Sequence, residues 1–201
     1  MADIPWKTIA VVGGATLGAM GLVALAAGGR RRLGERRSQR FALIGDSYAV
    51  GLGPELAKLL PGFDYEGHSG IRTDQWVGRT EQCYLNRGPG YDHGHGCGAW
   101  LASYKPDVVL VSLGVNDGDS IDPANYQTIV RTLHGIGARV VWIEPPLGVT
   151  APTLAQRQII RSLGVQVVPA THTETDGLHP LVYGPWAGEV AQALQKAGHV
   201  A

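Results

Sequence analysis

Cysteine is scarce in this chain: two residues in 201, Cys83 and Cys97. That excludes a multi-disulfide framework and a four-cysteine zinc site. No internal repeat is visible. Net charge is missing too, with 17 basic and 17 acidic side chains. As a total, that would exclude a charged partner, but the charges are unevenly placed. Residues 1–40 hold Lys7, Arg30, Arg31, Arg32, Arg36, Arg37 and Arg40 against Asp3 and Glu35, a net +5, which leaves −5 for residues 41–201. What is abundant is apolar surface: 44% of the residues are hydrophobic, enough for a core and too much for wholesale disorder. The length suits one ordinary domain with a short appendage.

The appendage reads as a membrane segment. Thr8 to Gly29 is a 22-residue run without a charge, and at about 1.5 Å per residue a helix of that length spans a ~30 Å hydrocarbon core. Its glycines would weaken a soluble helix but are tolerated in lipid, and Gly14 and Gly18 make a small-xxx-small pattern that can serve self-association. Two other readings compete with an anchor. One is a secretory signal, with Ala24-Leu25-Ala26 as a small-x-small cleavage site. The other is a buried, glycine-rich soluble helix. Six arginines follow the run directly, which opposes translocation of what comes next and favours a domain on the inner side. The arginines also suit anionic lipid head groups, at ~1 kcal/mol per basic residue near the surface. Nucleic acid is not expected as a partner: no aromatics interleave the arginines, and the following domain is acidic. The expected organisation is a hydrophobic segment over 1–29, an arginine-rich linker over 30–40 and a domain over 41–201.

That domain alternates strands and helices. Largely apolar runs at Phe41–Ile44, Asp107–Leu113, Arg139–Ile143 and Val165–Val168 predict strands, and Phe63–Glu66 is a candidate for a further one. Helical spacing predicts helices near Val50–Leu60, Pro123–Ile136, Thr153–Leu163 and Tyr183–Ala197. Strands that are apolar throughout and alternate with helices indicate a parallel sheet covered on both faces, an α/β fold. One stretch stands apart, CYLNRGPGYDHGHGC from Cys83 to Cys97. Three readings stay open for it. A Cys83–Cys97 disulfide would close a loop worth about 3 kcal/mol of denatured-state entropy. Alternatively, Cys83, His93, His95 and Cys97 make a zinc-type ligand set whose spacing fits no defensible pattern. The third is a pair of unpaired thiols. A disulfide needs an oxidising compartment, which conflicts with the inner location that the arginines favour.

Three loops carry chemistry-bearing residues. Gly45-Asp46-Ser47-Tyr48-Ala49 lies where the first strand gives way to a helix, so Ser47 sits at the carboxyl edge of the sheet, where open α/β folds bind ligands. Ser47 or Asp46 can equally well cap that helix. The motif is not a G-x-S-x-G elbow, because position 49 is alanine. Asp176-Gly177-Leu178-His179-Pro180 precedes the last helix, and an aspartate three residues before a histidine can fix its tautomer, leaving the other ring nitrogen to take a proton from a serine. A solvated histidine beside a capping aspartate is the bland alternative. Gly114-Val115-Asn116-Asp117 follows the strongest strand, and Asn116 can aim its amide at a developing oxyanion or merely make a turn. Gly70 can bring a backbone N–H to the same point, or be a turn glycine.

Taken together, Ser47, Gly70, Asn116 and His179 fall in the order and strand-edge positions of the SGNH (GDSL-like) hydrolases. GDSYAVGL resembles that family's first block, Gly70 its second, GVND its third and DGLHP its fifth, so the resemblance covers about residues 40–197. It implies a three-layer α/β/α, flavodoxin-like sheet and ester hydrolysis without a metal or other cofactor. It further implies Ser47 as nucleophile, His179 as general base, Asp176 as its orienting partner, and an oxyanion hole of the Ser47 and Gly70 N–H groups with the Asn116 side chain. Tyr48 stands where the family name has leucine. Small acyl groups, such as acetyl esters of a glycan, are the expected substrates. The alternatives are a lysophospholipase or thioesterase acting beside lipid, and a catalytically silent, membrane-tethered binding module. Trp76, Trp100 and Trp186 can stack on a sugar, although core packing is the commoner use.

Overall fold

The predicted strands, Phe63–Glu66 among them, become the strands of one parallel sheet. A computed structural model describes residues 38–78, 97–146, 151–170 and 179–200. In chain order these give β1 (Phe41–Gly45), α1 (Ser47–Leu59), β2 (Phe63–Gly67), α2 (Thr73–Gly78), α3 (Cys97–Tyr104), β3 (Val108–Ser112), α4 (Pro123–Gly135), β4 (Arg139–Ile143), α5 (Ala151–Ser162), β5 (Gln166–Val168) and α6 (Gly184–Lys196). The strand order is β2-β1-β3-β4-β5, and all four pairings are parallel. Every residue of β1 and β3 is buried, as expected of central parallel strands covered on both faces.

Strand side chains alternate between two cores, which makes three layers. Phe41, Leu43, Val108 and Leu110 point to one face, where α1 supplies Leu52 and Leu56 and α6 supplies Trp186, Val190 and Leu194. Ala42, Ile44, Val109 and Val111 point to the other, against Trp76 of α2, Leu101 of α3, Tyr126, Ile129 and Leu133 of α4 and Ile160 of α5. Fully burying a side chain of this size stabilises by about 1.5–3 kcal/mol, so these faces hold the sheet in place.

β1 is the pivot. From it the chain first adds β2 on one side, then crosses to β3 on the other. A crevice at such a reversal lies at the carboxyl ends of the strands. Register pairs Gly45 of β1 with Gly67 of β2 and with Ser112 of β3, so the three connections that follow these strands leave from one level. Gly45 has to be glycine: a Cβ there would collide with the Ser112 carbonyl and with Ala49.

The helices differ from their predicted bounds at one informative point. α1 begins at Ser47 rather than near Val50, because the Asp46 side chain caps it by accepting from the Tyr48 N–H. α2 and α3 were not anticipated. Among the described residues no helix is long and apolar enough to cross a membrane. The Thr8–Gly29 segment lies outside the described residues, as do Arg30 to Arg37, Cys83, His93, His95 and Asp176; of Cys97 only the backbone is described.

Candidate active site

Each candidate loop leaves a strand at the carboxyl edge of the sheet. Ser47 opens α1 directly after β1, and the first N–H groups of a helix have no intrahelical acceptor. Asp46 takes one of them, Tyr48 N at 3.0 Å. The Ser47 N–H, one position earlier, belongs to the same set of first-turn donors. His179 reaches the same place from the connection into α6, and its Nε2 lies 2.9 Å from Ser47 Oγ. Residues 132 positions apart are thus within hydrogen-bond reach.

The departure at position 48 has a structural role. Tyr48 is 1% exposed. Its ring lies 5.5 Å from the His179 ring at a tilt of 57° and meets Trp186 edge-on at 5.4 Å. Trp186 in turn stacks on Tyr183. An aromatic chain from the core of α6 therefore backs the imidazole, and such ring pairs are worth ~0.5–1.5 kcal/mol beyond their burial.

Gly70 and Asn116 lie in loops that touch. Gly70 has φ +80°, a left-handed conformation that L side chains rarely adopt. Its turn is closed by Ile71 N donating to His68 O at 3.1 Å, and tied to β1 by His68 N donating to Gly45 O at 2.9 Å. Asn116 Nδ2 donates to Ile71 O at 3.1 Å. An amide nitrogen carries two hydrogens, so this bond leaves one for a ligand.

Behind these loops lies a buried polar cluster. Asp117, 3% exposed, accepts from Thr73 N at 2.9 Å, Thr73 Oγ1 at 2.7 Å and Tyr126 Oη at 2.7 Å. The Gly114 carbonyl accepts from Gln156 Nε2 of α5. Asp46 is fully buried, and its Oδ2 has no hydrogen-bond partner among the described residues. Burial, reinforced by the nearby Asp117 charge and opposed by the Tyr48 N–H, pushes the Asp46 carboxyl up to about 8. Burial likewise pushes Glu66, at the end of β2, up to about 8. The Tyr126 hydroxyl is raised by burial and by its hydrogen bond to Asp117.

Of the residues picked out from sequence, Ser47 and His179 are side by side, and Gly70 and Asn116 are on adjoining loops. Asp176 and Cys83 lie outside the described residues. Trp76 and Trp186 are core residues, 5% and 0% exposed. Trp100 stacks on Tyr104 and donates to Asp64 near the amino end of β2, level with Ala42 and away from the carboxyl edge that Ser47 follows. Sequence reasoning passed over Asp117, Thr73 and Gln156. Asp117 was visible only as part of a turn, and nothing local marks Thr73 or Gln156.

The sheet order, the two helical layers and the loops at the carboxyl edge make the three-layer α/β/α, flavodoxin-like fold of the SGNH (GDSL-like) hydrolases. Among solved structures, the chain is similar to the C-terminal catalytic domain of peptidoglycan O-acetyltransferase A from Streptococcus pneumoniae, which carries a methylsulfonyl adduct. Identity to it is 17%, with 80% of this chain and 95% of that one covered and a TM-score of 0.55. A G-D-S-L family protein from Desulfitobacterium hafniense gives 13% identity, 78% and 99% coverage and a TM-score of 0.53. A catalytic mutant of an acetylxylan esterase from Geobacillus stearothermophilus gives 16%, 81% and 96%, and 0.51. At these identities the likeness is one of fold. No protein-family model matches the chain, and no curated protein matches it in sequence.

Proposed function

We propose that the protein is a serine ester hydrolase that works through an acyl-enzyme and acts on small acyl esters, acetyl groups on a glycan above all. The observation that carries this reading is the 2.9 Å approach of His179 Nε2 to Ser47 Oγ at the carboxyl edge of the sheet. A serine hydroxyl is a weak nucleophile until a neighbouring base takes its proton. In the proposed first step, His179 Nε2 accepts the Ser47 proton as Oγ bonds to the ester carbonyl carbon. The carbonyl oxygen becomes an oxyanion facing the Ser47 and Gly70 N–H groups and the remaining Asn116 hydrogen. The carbon–alkoxy bond then breaks, and the leaving alcohol takes the proton back from His179. A water, deprotonated by the same nitrogen, releases the acid and restores Ser47. Asp176, three residues before His179 in sequence, is proposed to orient the imidazole.

Acetyl esters of glycans are favoured because two proteins of this fold are, by their names, a peptidoglycan O-acetyltransferase and an acetylxylan esterase. The same acyl-enzyme could pass its acyl group to a sugar hydroxyl instead of water. Residues 8–29 are proposed as a single-pass anchor, with the arginine cluster against lipid head groups. Two measurements test this. Ser47→Ala should abolish hydrolysis of p-nitrophenyl acetate, and unchanged turnover would sink the nucleophile assignment. An alkaline carbonate wash should leave the full chain with the membrane pellet; release into the supernatant would refute the anchor.

A further inference from the structure

We propose that Asp117 is a positioning residue of the oxyanion hole, holding the Gly70 turn and the Asn116 loop in one fixed arrangement; this rests on the hydrolase reading above. The two loops belong to different connections, β2–α2 and β3–α4, and neither is part of the hydrogen-bonded sheet. Without a brace their relative placement would depend on loop conformation alone.

The brace is a double clamp. Asn116 and Asp117 are consecutive, and they grip Ile71 and Thr73, which flank Arg72. Asn116 Nδ2 holds Ile71 O at 3.1 Å, while Asp117 holds Thr73 by both its N–H and its hydroxyl, at 2.9 and 2.7 Å. One residue upstream of Ile71 is Gly70, whose turn is fixed at its other end by His68 N on Gly45 O. The Gly70 N–H is thus held from β1 on one side and from Asp117 and Asn116 on the other. Asp117 is in turn anchored to the core by Tyr126 Oη at 2.7 Å, and its own N–H donates to Gly114 O at 3.0 Å.

Asp117 suits this task for a physical reason. A buried carboxylate needs its lone pairs satisfied, and charge-assisted hydrogen bonds are roughly twice as strong as neutral ones. Three donors from two separate elements converge on it, so moving either loop leaves a buried acceptor unmet. Asp117 need not touch substrate for this. Its effect is to keep two donors where a tetrahedral oxygen will form, and a misplacement of about 1 Å there can cost ~100-fold in rate.

The test compares Asp117→Asn, Thr73→Val and Thr73→Ser in the full chain, with Leu133→Ala as a variant destabilised in the core away from the site. The readouts are p-nitrophenyl acetate kinetics and the rate of fluorophosphonate labelling. Thr73→Val removes the hydroxyl hydrogen bond at nearly constant volume, and Thr73→Ser keeps it. The proposal predicts a ~10- to 100-fold loss of kcat in Asp117→Asn and Thr73→Val, with KM within about twofold. Thr73→Ser should recover most of the loss, and Leu133→Ala should lower Tm without the kcat loss. Full kcat in a folded Asp117→Asn or Thr73→Val variant would overturn the proposal, as would a loss in Leu133→Ala matching theirs. Should Asp117→Asn fail to fold, the Thr73 pair decides alone. A wild-type chain that neither labels nor turns over would overturn the hydrolase reading itself, and the proposal with it.

Discussion

At the scale of the residue, the decisive pair is Ser47 and His179, and the decisive environment is the buried acid next to them. If Asn116 supplies an oxyanion donor, Asn116→Ala should lower kcat by ~10²–10³ with less effect on KM; a change confined to KM would assign it to ground-state binding. Asp46 gives a pH signature of the fold. Its carboxyl is held up to about 8 against an ordinary 3.8, so between those values the folded chain keeps a proton that the unfolded chain has released. Folding then binds protons, and stability falls as pH rises through that window. Glu66, held up to about 8 from 4.5, acts in the same direction. Asp46→Asn keeps an acceptor for the Tyr48 N–H without the charge, and should flatten the decline of Tm between about pH 5 and pH 8. Equal slopes in wild type and variant would show that Asp46 ionises normally.

Among the elements, α5 is secured to β4 by charge rather than by apolar contact alone. Glu144, just past β4 and fully buried, accepts from Arg157 Nη2 at 2.5 Å and from Arg161 Nε at 2.5 Å. Arg157 is itself buried, so removing its partner strands a guanidinium, at a cost of ~3–5 kcal/mol. Glu144→Ala is therefore expected to lower the urea midpoint strongly, whereas Arg161→Ala, at an exposed arginine, should cost about 0–1 kcal/mol. Similar midpoints for the two variants would contradict this account of α5. The central strands were legible in the sequence because a strand buried on both faces is a nearly unbroken apolar run, as in Val108–Ser112, whereas the edge strand β2, Phe-Asp-Tyr-Glu-Gly, carries no such run. The short helices α2 and α3 were not legible. Thr73–Gly78 is too brief to show a period, and Cys97–Tyr104 follows a glycine- and histidine-rich stretch with no helical start signal. Ser47 and His179 could be picked out because each sits in a local motif. Asp117 could not, because its role depends on Thr73, 44 positions away, and sequence shows spacing along the chain rather than across two loops.

For the whole molecule, the zero net charge combines a basic first 40 residues with an acidic domain. The domain has the sheet order and the layered arrangement of an SGNH-type fold, and its chemistry is proposed to reside in one serine. The most direct test is to treat the intact full-length protein with a fluorophosphonate and locate the adduct by mass spectrometry. Only a serine whose proton has an acceptor reacts readily with such a probe. A single adduct on Ser47, lost in Ser47→Ala and strongly slowed in His179→Gln, is the predicted result. No adduct, or an adduct on another residue, would contradict the account.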